Sequence, residues 1–194
     1  MEFDAIIKLA AGKLLGISPD DLLAGNITDG FSWVNSGRIG WVRAANSGSV
    51  VLLLDDRGVQ RLNAPDDHSA LAALLVRDAG YLPTRLSPTE LAEAIRRLGV
   101  DPRGFVGSPQ FWEQQKAYVR LWCGGDDADL AAKFKAGCAA PELTSDQGGT
   151  WQLKFLYFNA NAGVEQWLVN GDRERFNAIK TVKFPDRTFV FPYG

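Results

Sequence analysis

The chain has 194 residues, 46% hydrophobic and 23% charged, with 21 basic against 23 acidic side chains and a formal net charge of −2. That is the composition of an ordinary globular protein, long enough for one domain with a real core. It excludes the global basic excess of a protein held to nucleic acid by phosphate neutralisation, and apolar runs as short as Val50 to Leu54 exclude a membrane-spanning helix.

The first residues, Met1-Glu-Phe-Asp4, are acidic where a signal peptide is basic, and Lys8 and Lys13 interrupt the apolar stretch after them. The expectation is a cytoplasmic protein. Its two cysteines, Cys123 and Cys138, read as reduced thiols, because a chain of this size needs no staple. Arg outnumbering Lys, with abundant Ala, is the composition of a GC-rich bacterial genome.

Along the chain, Phe3, Ile6, Ile7, Ala10 and Leu14 recur at helical spacing over residues 3 to 15, and Gly16 ends that helix. Ser18-Pro-Asp-Asp21 opens a short second helix, with Ser at the N-cap and Pro at the first helical position. Four short strands come next as a meander: Phe31–Val34, Ile39–Val42, Val50–Leu54 and Val59–Leu62, separated by Ser36-Gly37, Asn46-Ser-Gly48 and Asp55-Asp-Arg-Gly58. The middle is helical. Asp66 or Asp67 caps a helix carrying Leu71, Leu74 and Leu75, and Ser87-Pro-Thr-Glu90 forms a capping box before Leu91, Ile95 and Leu98. Ser108-Pro109 opens a third helix bearing Phe111, Trp112, Tyr118, Val119 and Trp122, and a shorter one carries Leu130 and Phe134.

Residues 137 to 149 read as a Gly-rich loop. Beyond it, Trp151, Leu153, Phe155 and Tyr157 alternate with their neighbours at a period of two, the signature of a strand. Asn159-Ala-Asn-Ala-Gly163 turns the chain into a second strand to Val169, and a third runs through Ile179 to Phe184. Pro185-Asp-Arg-Thr188 leads to a last strand at Phe189–Phe191, giving an antiparallel sheet of about four strands. Strands and helices are segregated, so the class is α+β: N-terminal helix, antiparallel meander, central helices, C-terminal antiparallel sheet. The chain is read as one domain over 1–194, with a possible subdivision into 1–136 and 150–194. Whether the two β-segments share one sheet stays open.

Catalytic chemistry has few candidates. The single histidine, His68, lies in Pro65-Asp-Asp-His-Ser69, and as a general base it would need Asp67 or Asp66 to orient it. Adjacent residues rarely reach that geometry, so His68 with Asp67 is a fallback pair and no catalytic residue is assigned. One histidine and two cysteines match no zinc pattern, and no metal or cofactor is expected. The acidic pairs Asp20-Asp21, Asp55-Asp56, Asp66-Asp67 and Asp126-Asp127 sit where helix starts and turns use aspartate. Gly104-Phe-Val-Gly107-Ser108 lacks the Lys-Ser/Thr end of a phosphate loop. Thr89–Val100 has the sound of a helix-turn-helix, but the helix after it is aromatic rather than basic, so DNA binding is not favoured.

Aromatic residues are the remaining lead: six Trp, eleven Phe and four Tyr. Trp33, Arg38, Trp41 and Arg43 fall on the meander, and Trp151, Tyr157 and Trp167 on the last sheet. Trp, Tyr and Arg are enriched in interface hot spots, although most such rings fill cores. These seven residues are the candidate binding set. The function they point to is a non-enzymatic interaction module that uses an aromatic- and Arg-bearing surface or sheet cavity. Its partner is another protein, or the chain itself. A small-molecule enzyme with its pocket between the C-terminal sheet and the helices, using His68 or a carboxylate, is the alternative.

Overall fold

The computed structural model describes residues 2–45, 48–64, 67–80, 85–99, 105–109, 132, 135, 139–159, 163–172 and 174–182. The chain is α+β and falls into two compact units. The first is Met1–Arg85 with Ala94–Pro102 and Arg173–Arg175; the second is Leu86–Glu93 with Arg103–Asp172 and Phe176–Gly194.

The first unit begins with α1, Phe3–Leu15, whose residues Phe3, Ile7 and Ala11 recur every four positions and are buried. Gly16 adopts a left-handed conformation at φ 67°, and the Ile17 N–H reaches back 3.1 Å to the Gly12 carbonyl. That backward bond is a Schellman closure, which satisfies a carbonyl the helix end would leave open. A single 3₁₀ turn at Pro19–Asp21 comes after it, as the Ser-Pro-Asp-Asp signal predicts.

Four antiparallel strands then pair in chain order: β1 Leu22–Asn26, β2 Gly37–Ala44, β3 Val50–Asp55 and β4 Gly58–Arg61. Helix α1 packs on one face of this sheet, with Phe3, Ile7, Ala11, Leu22, Val42, Val50 and Leu52 forming one buried cluster. Gly40 makes that approach possible, since a Cβ there would stand 2.6 Å from Ile7 Cδ1 and 3.0 Å from the Phe3 ring. The opposite face is buried too, at Ile39, Val51 and Leu53. This is why β3 reads as an unbroken apolar run instead of an alternation.

The sequence reading misplaces the first strand of the meander. Phe31–Val34 is not a strand: the Phe31 N–H bonds the Thr28 carbonyl and the Val34 N–H bonds the Phe31 carbonyl, so its backbone is spent on turns. The true first strand, β1, contains Gly25 and Asn26, which disfavour strands, and only its pairing with β2 reveals it. The helix predicted after Asp67 is α2, Ser69–Asp78, with Leu71, Leu74 and Leu75 buried. Helix α3, Pro88–Gly99, opens on the expected capping box: Ser87 N–H to Glu90 Oε2 at 2.8 Å and Glu90 N–H to Ser87 Oγ at 3.3 Å.

The second unit holds a separate antiparallel sheet, so the β-segments do not share one. Its strands are β5 Phe105–Val106, β6 Glu142–Ser145, β7 Trp151–Asn159, β8 Gly163–Gly171 and β9 Phe176–Val182. The order is β5-β7-β8-β9, with β6 also paired to β7. The alternation in β7 holds over its first part, where Trp151, Leu153 and Phe155 are buried while Gln152 and Lys154 are exposed; toward its end Leu156 is half-buried and Tyr157 and Phe158 are both buried. Strand β6 lies inside the stretch read as a loop, because its mostly exposed residues carry no apolar alternation. The helices expected around Phe111–Trp122 and Leu130–Phe134, both cysteines, Asp66, Asp126-Asp127, Gly104 and the strand at Phe189–Phe191 lie outside the described residues.

Candidate functional site

The β1–β2 register sets Gly25 opposite Trp41 and Leu23 opposite Arg43. Residues directly opposite in an antiparallel pair point to the same face, so these four side-chain positions form one corner of the sheet. Gly25 leaves a gap, and the Trp41 indole lies in it, with Nε1 2.8 Å from where a Cβ of residue 25 would stand. The Arg43 guanidinium lies 5.6 Å from the centre of the Trp41 ring. Cation–π contacts at that range contribute about 0.5–1 kcal/mol when exposed. Trp41 and Arg43 are half-buried, and Leu23 is 55% exposed. An apolar side chain, an indole face and a cation thus stand side by side, the residue mix that binding hot spots use.

The far end of β1 is closed by its own side chains. Asn26 Oδ1 accepts from the Thr28 N–H at 2.9 Å and from Thr28 Oγ1 at 2.7 Å. Thr28 Oγ1 in turn accepts from the Ile39 N–H at 2.7 Å, while the Ile27 N–H donates to the Ile39 carbonyl at 2.9 Å. These bonds hold the strand pair in register without a tight hairpin.

The other predicted binding residues fall elsewhere. Arg38 is an even-numbered neighbour on β2 and so points to the opposite face, where its guanidinium lies 4.1 Å over the Phe3 ring of α1. Trp33 sits in the loop before β2, edge-on to buried Phe31 at 6.0 Å, with Arg97 over the Phe31 ring at 5.0 Å. Trp151, Tyr157 and Trp167 are buried in the second unit. Trp151 covers Gly171, donates Nε1–H to the Asp172 carbonyl at 3.2 Å, and leans on Phe176. Trp167 stacks on Phe155 and donates its indole N–H to Glu165 Oε2 at 2.9 Å. These rings are core, because the face they share is covered. Glu165 itself is fully buried, and its in-phase spacing with Trp167 and Val169 is the signal that places it on that face.

The fallback pair does local work. Asp67 Oδ1 accepts the Ser69 N–H at 2.9 Å, so it caps the start of α2. The side-chain and backbone bonds from Ser69 hold its carboxyl below the ordinary value. His68, half-buried, occupies the N-cap position, and its carbonyl accepts the Ala72 N–H.

A charged cluster anchors the end of α2. Arg77 bridges Asp55 (2.7 Å) and Asp78 (3.0 Å). Asp78 Oδ2 also accepts the Asn35 N–H, the Ser36 N–H and the Ser36 hydroxyl at 2.7–2.9 Å. Burial works to raise both carboxyls, yet these bonds outweigh it and leave Asp55 and Asp78 below their ordinary values. The cluster ties the 31–36 loop to α2.

Among the described residues no three His, Cys, Asp or Glu side chains gather as a metal site requires, and no helix is long and apolar enough to cross a membrane. No known protein family, curated protein or solved structure matches the chain. The functional reading therefore rests on the residues themselves.

Proposed function

We propose that this protein is a non-enzymatic interaction module, acting in the cytoplasm, whose binding surface is the corner formed by Leu23, Gly25, Trp41 and Arg43. The observation that carries this reading is the half-buried Trp41, seated on Gly25 and flanked by Arg43 and the exposed Leu23. Trp33 and Arg38 lie on other surfaces of the same unit, so the binding set contracts to this corner. The partner is a protein surface able to cover an indole and a leucine, with acceptors for the guanidinium. The enzyme reading has less support, since Asp67 is engaged in capping and His68 occupies the cap position.

The test is capture of a stoichiometric partner by the tagged protein, repeated with Trp41→Ala and Arg43→Ala. Binding should weaken by about 1–3 kcal/mol with Trp41→Ala while thermal unfolding stays cooperative. A variant that binds as well as the parent, or that unfolds, removes Trp41 from the binding role.

A further inference from the structure

The exposed edge of β1 specifies what kind of partner fits. We propose that the partner is a second copy of this chain, joined strand to strand across β1 about a two-fold axis at Ala24, an inference that rests on the interaction-module reading. The Ile27 N–H bond to the Ile39 carbonyl sets the hydrogen-bonding phase of β1. Residues 23, 25 and 27 direct their backbone groups to β2, and residues 22, 24 and 26 direct theirs outward. The Leu22 N–H is used by the Pro19 carbonyl. The N–H and C=O groups of Ala24 and Asn26 face outward, and among the described residues no strand pairs with that edge. Leu23 and Asn26 are exposed there, so the edge is reachable.

Only an extended backbone satisfies such a row of donors and acceptors. Nature ordinarily blunts an edge with lysine, proline or a charge. Leu22-Leu-Ala-Gly-Asn26 has none of these within the strand, whereas β4, at the other edge of the sheet, carries Arg61.

The residues also complement themselves. Antiparallel pairing about Ala24 is the register that engages all five residues of β1, setting Leu22 against Asn26 and Leu23 against Gly25 of the second copy. Each protruding Leu23 then stands opposite the other copy's Gly25, against the Trp41 indole that fills the space over that glycine. A two-fold interface needs one patch to be its own complement, and Leu23 and Gly25, one residue either side of Ala24, meet that condition. The antiparallel direction also sends the Asp20-Asp21 turns of the two copies to opposite ends. A single five-residue strand buries less than the roughly 1,200 Å² of a stable complex, so the dimer is weak and concentration-dependent.

The experiment is light-scattering or sedimentation analysis of the purified chain from about 5 to about 200 µM, a span that brackets micromolar association. The mass should climb from 21.2 kDa toward twice that value. Ala24→Pro deletes an outward N–H while sparing every β1–β2 bond, and should stay monomeric with an unchanged circular dichroism spectrum. Leu23→Lys should do the same, and stands in if the proline variant does not fold. A parent that remains monomeric at the highest concentration overturns the proposal, as does a dimer that survives both variants. A monomeric parent that captures a different protein through Trp41 overturns the second-copy assignment and leaves the interaction reading standing. A parent that neither dimerises nor binds anything through Trp41 overturns both.

Discussion

Asp78→Ala tests whether the charged cluster at the end of α2 holds the first unit together. Its carboxylate is only 2% exposed, and it accepts the Arg77 guanidinium, two backbone N–H groups and the Ser36 hydroxyl. Removing one side of a buried charged pair costs about 3–5 kcal/mol, because the remaining donors lose their acceptor. Two features lower that figure here. Arg77 keeps Asp55 and is 27% exposed, and Asn35 is exposed, so water can replace part of what is lost. The expected loss is therefore about 2–4 kcal/mol, with hydrogen bonds to a charged group contributing about 1.5–3 kcal/mol each before this discount. Urea unfolding at pH 7, followed by tryptophan fluorescence, measures it, with exposed Asp56→Ala as the control expected within about 0.5 kcal/mol of the parent. The pH dependence has a definite sign. Because the folded-state carboxyls of Asp55 and Asp78 lie below the ordinary 3.8, their stabilisation is present above that value and is lost as pH falls through and below it. Asp78→Asn should accordingly flatten the acid limb of the stability curve. A midpoint for Asp78→Ala equal to the parent's, or an acid limb that Asp78→Asn leaves unchanged, would refute the reasoning.

The glycines under the two indoles give a paired expectation. A methyl at Gly171 would overlap the Trp151 indole, which is buried and cannot yield, so Gly171→Ala should cost about 1–3 kcal/mol and alter near-ultraviolet circular dichroism. A methyl at Gly25 meets first the half-buried Trp41 indole, which can shift outward, so Gly25→Ala should leave stability within about 1 kcal/mol while weakening partner binding through the displaced ring. Equal losses of stability in both variants would contradict the different burial of the two rings. Gly40→Ala pushes against Ile7 and Phe3 of α1 and should lower the thermal midpoint of the first unit, by about 1–3 kcal/mol in stability. No change there would mean that α1 does not press closely on the sheet at that point.

Local chemistry determined much of this protein in advance. Helix α1 with Phe3 and Ile7 on its buried face, its glycine stop, the Ser87–Glu90 box and the period-two run from Trp151 to Tyr157 were legible, because each depends on residues a few positions apart, although Leu14, expected on the α1 stripe, is exposed and Ala11 is buried in its place. The α+β class came from their order. Tertiary structure alone decided the rest. Periodicity marks which residues share a face but not what covers it, so Trp151, Tyr157 and Trp167 read like surface candidates until the second sheet's buried face enclosed them. Strand β1 carries Gly25 and Asn26, which disfavour strands, and becomes a strand because β2 supplies its hydrogen bonds. The candidate site was half visible for the same reason. Trp41 and Arg43 share a face by spacing, but Gly25 and Leu23 join them only through pairing register, a contact between segments some twenty residues apart that local sequence pattern does not encode.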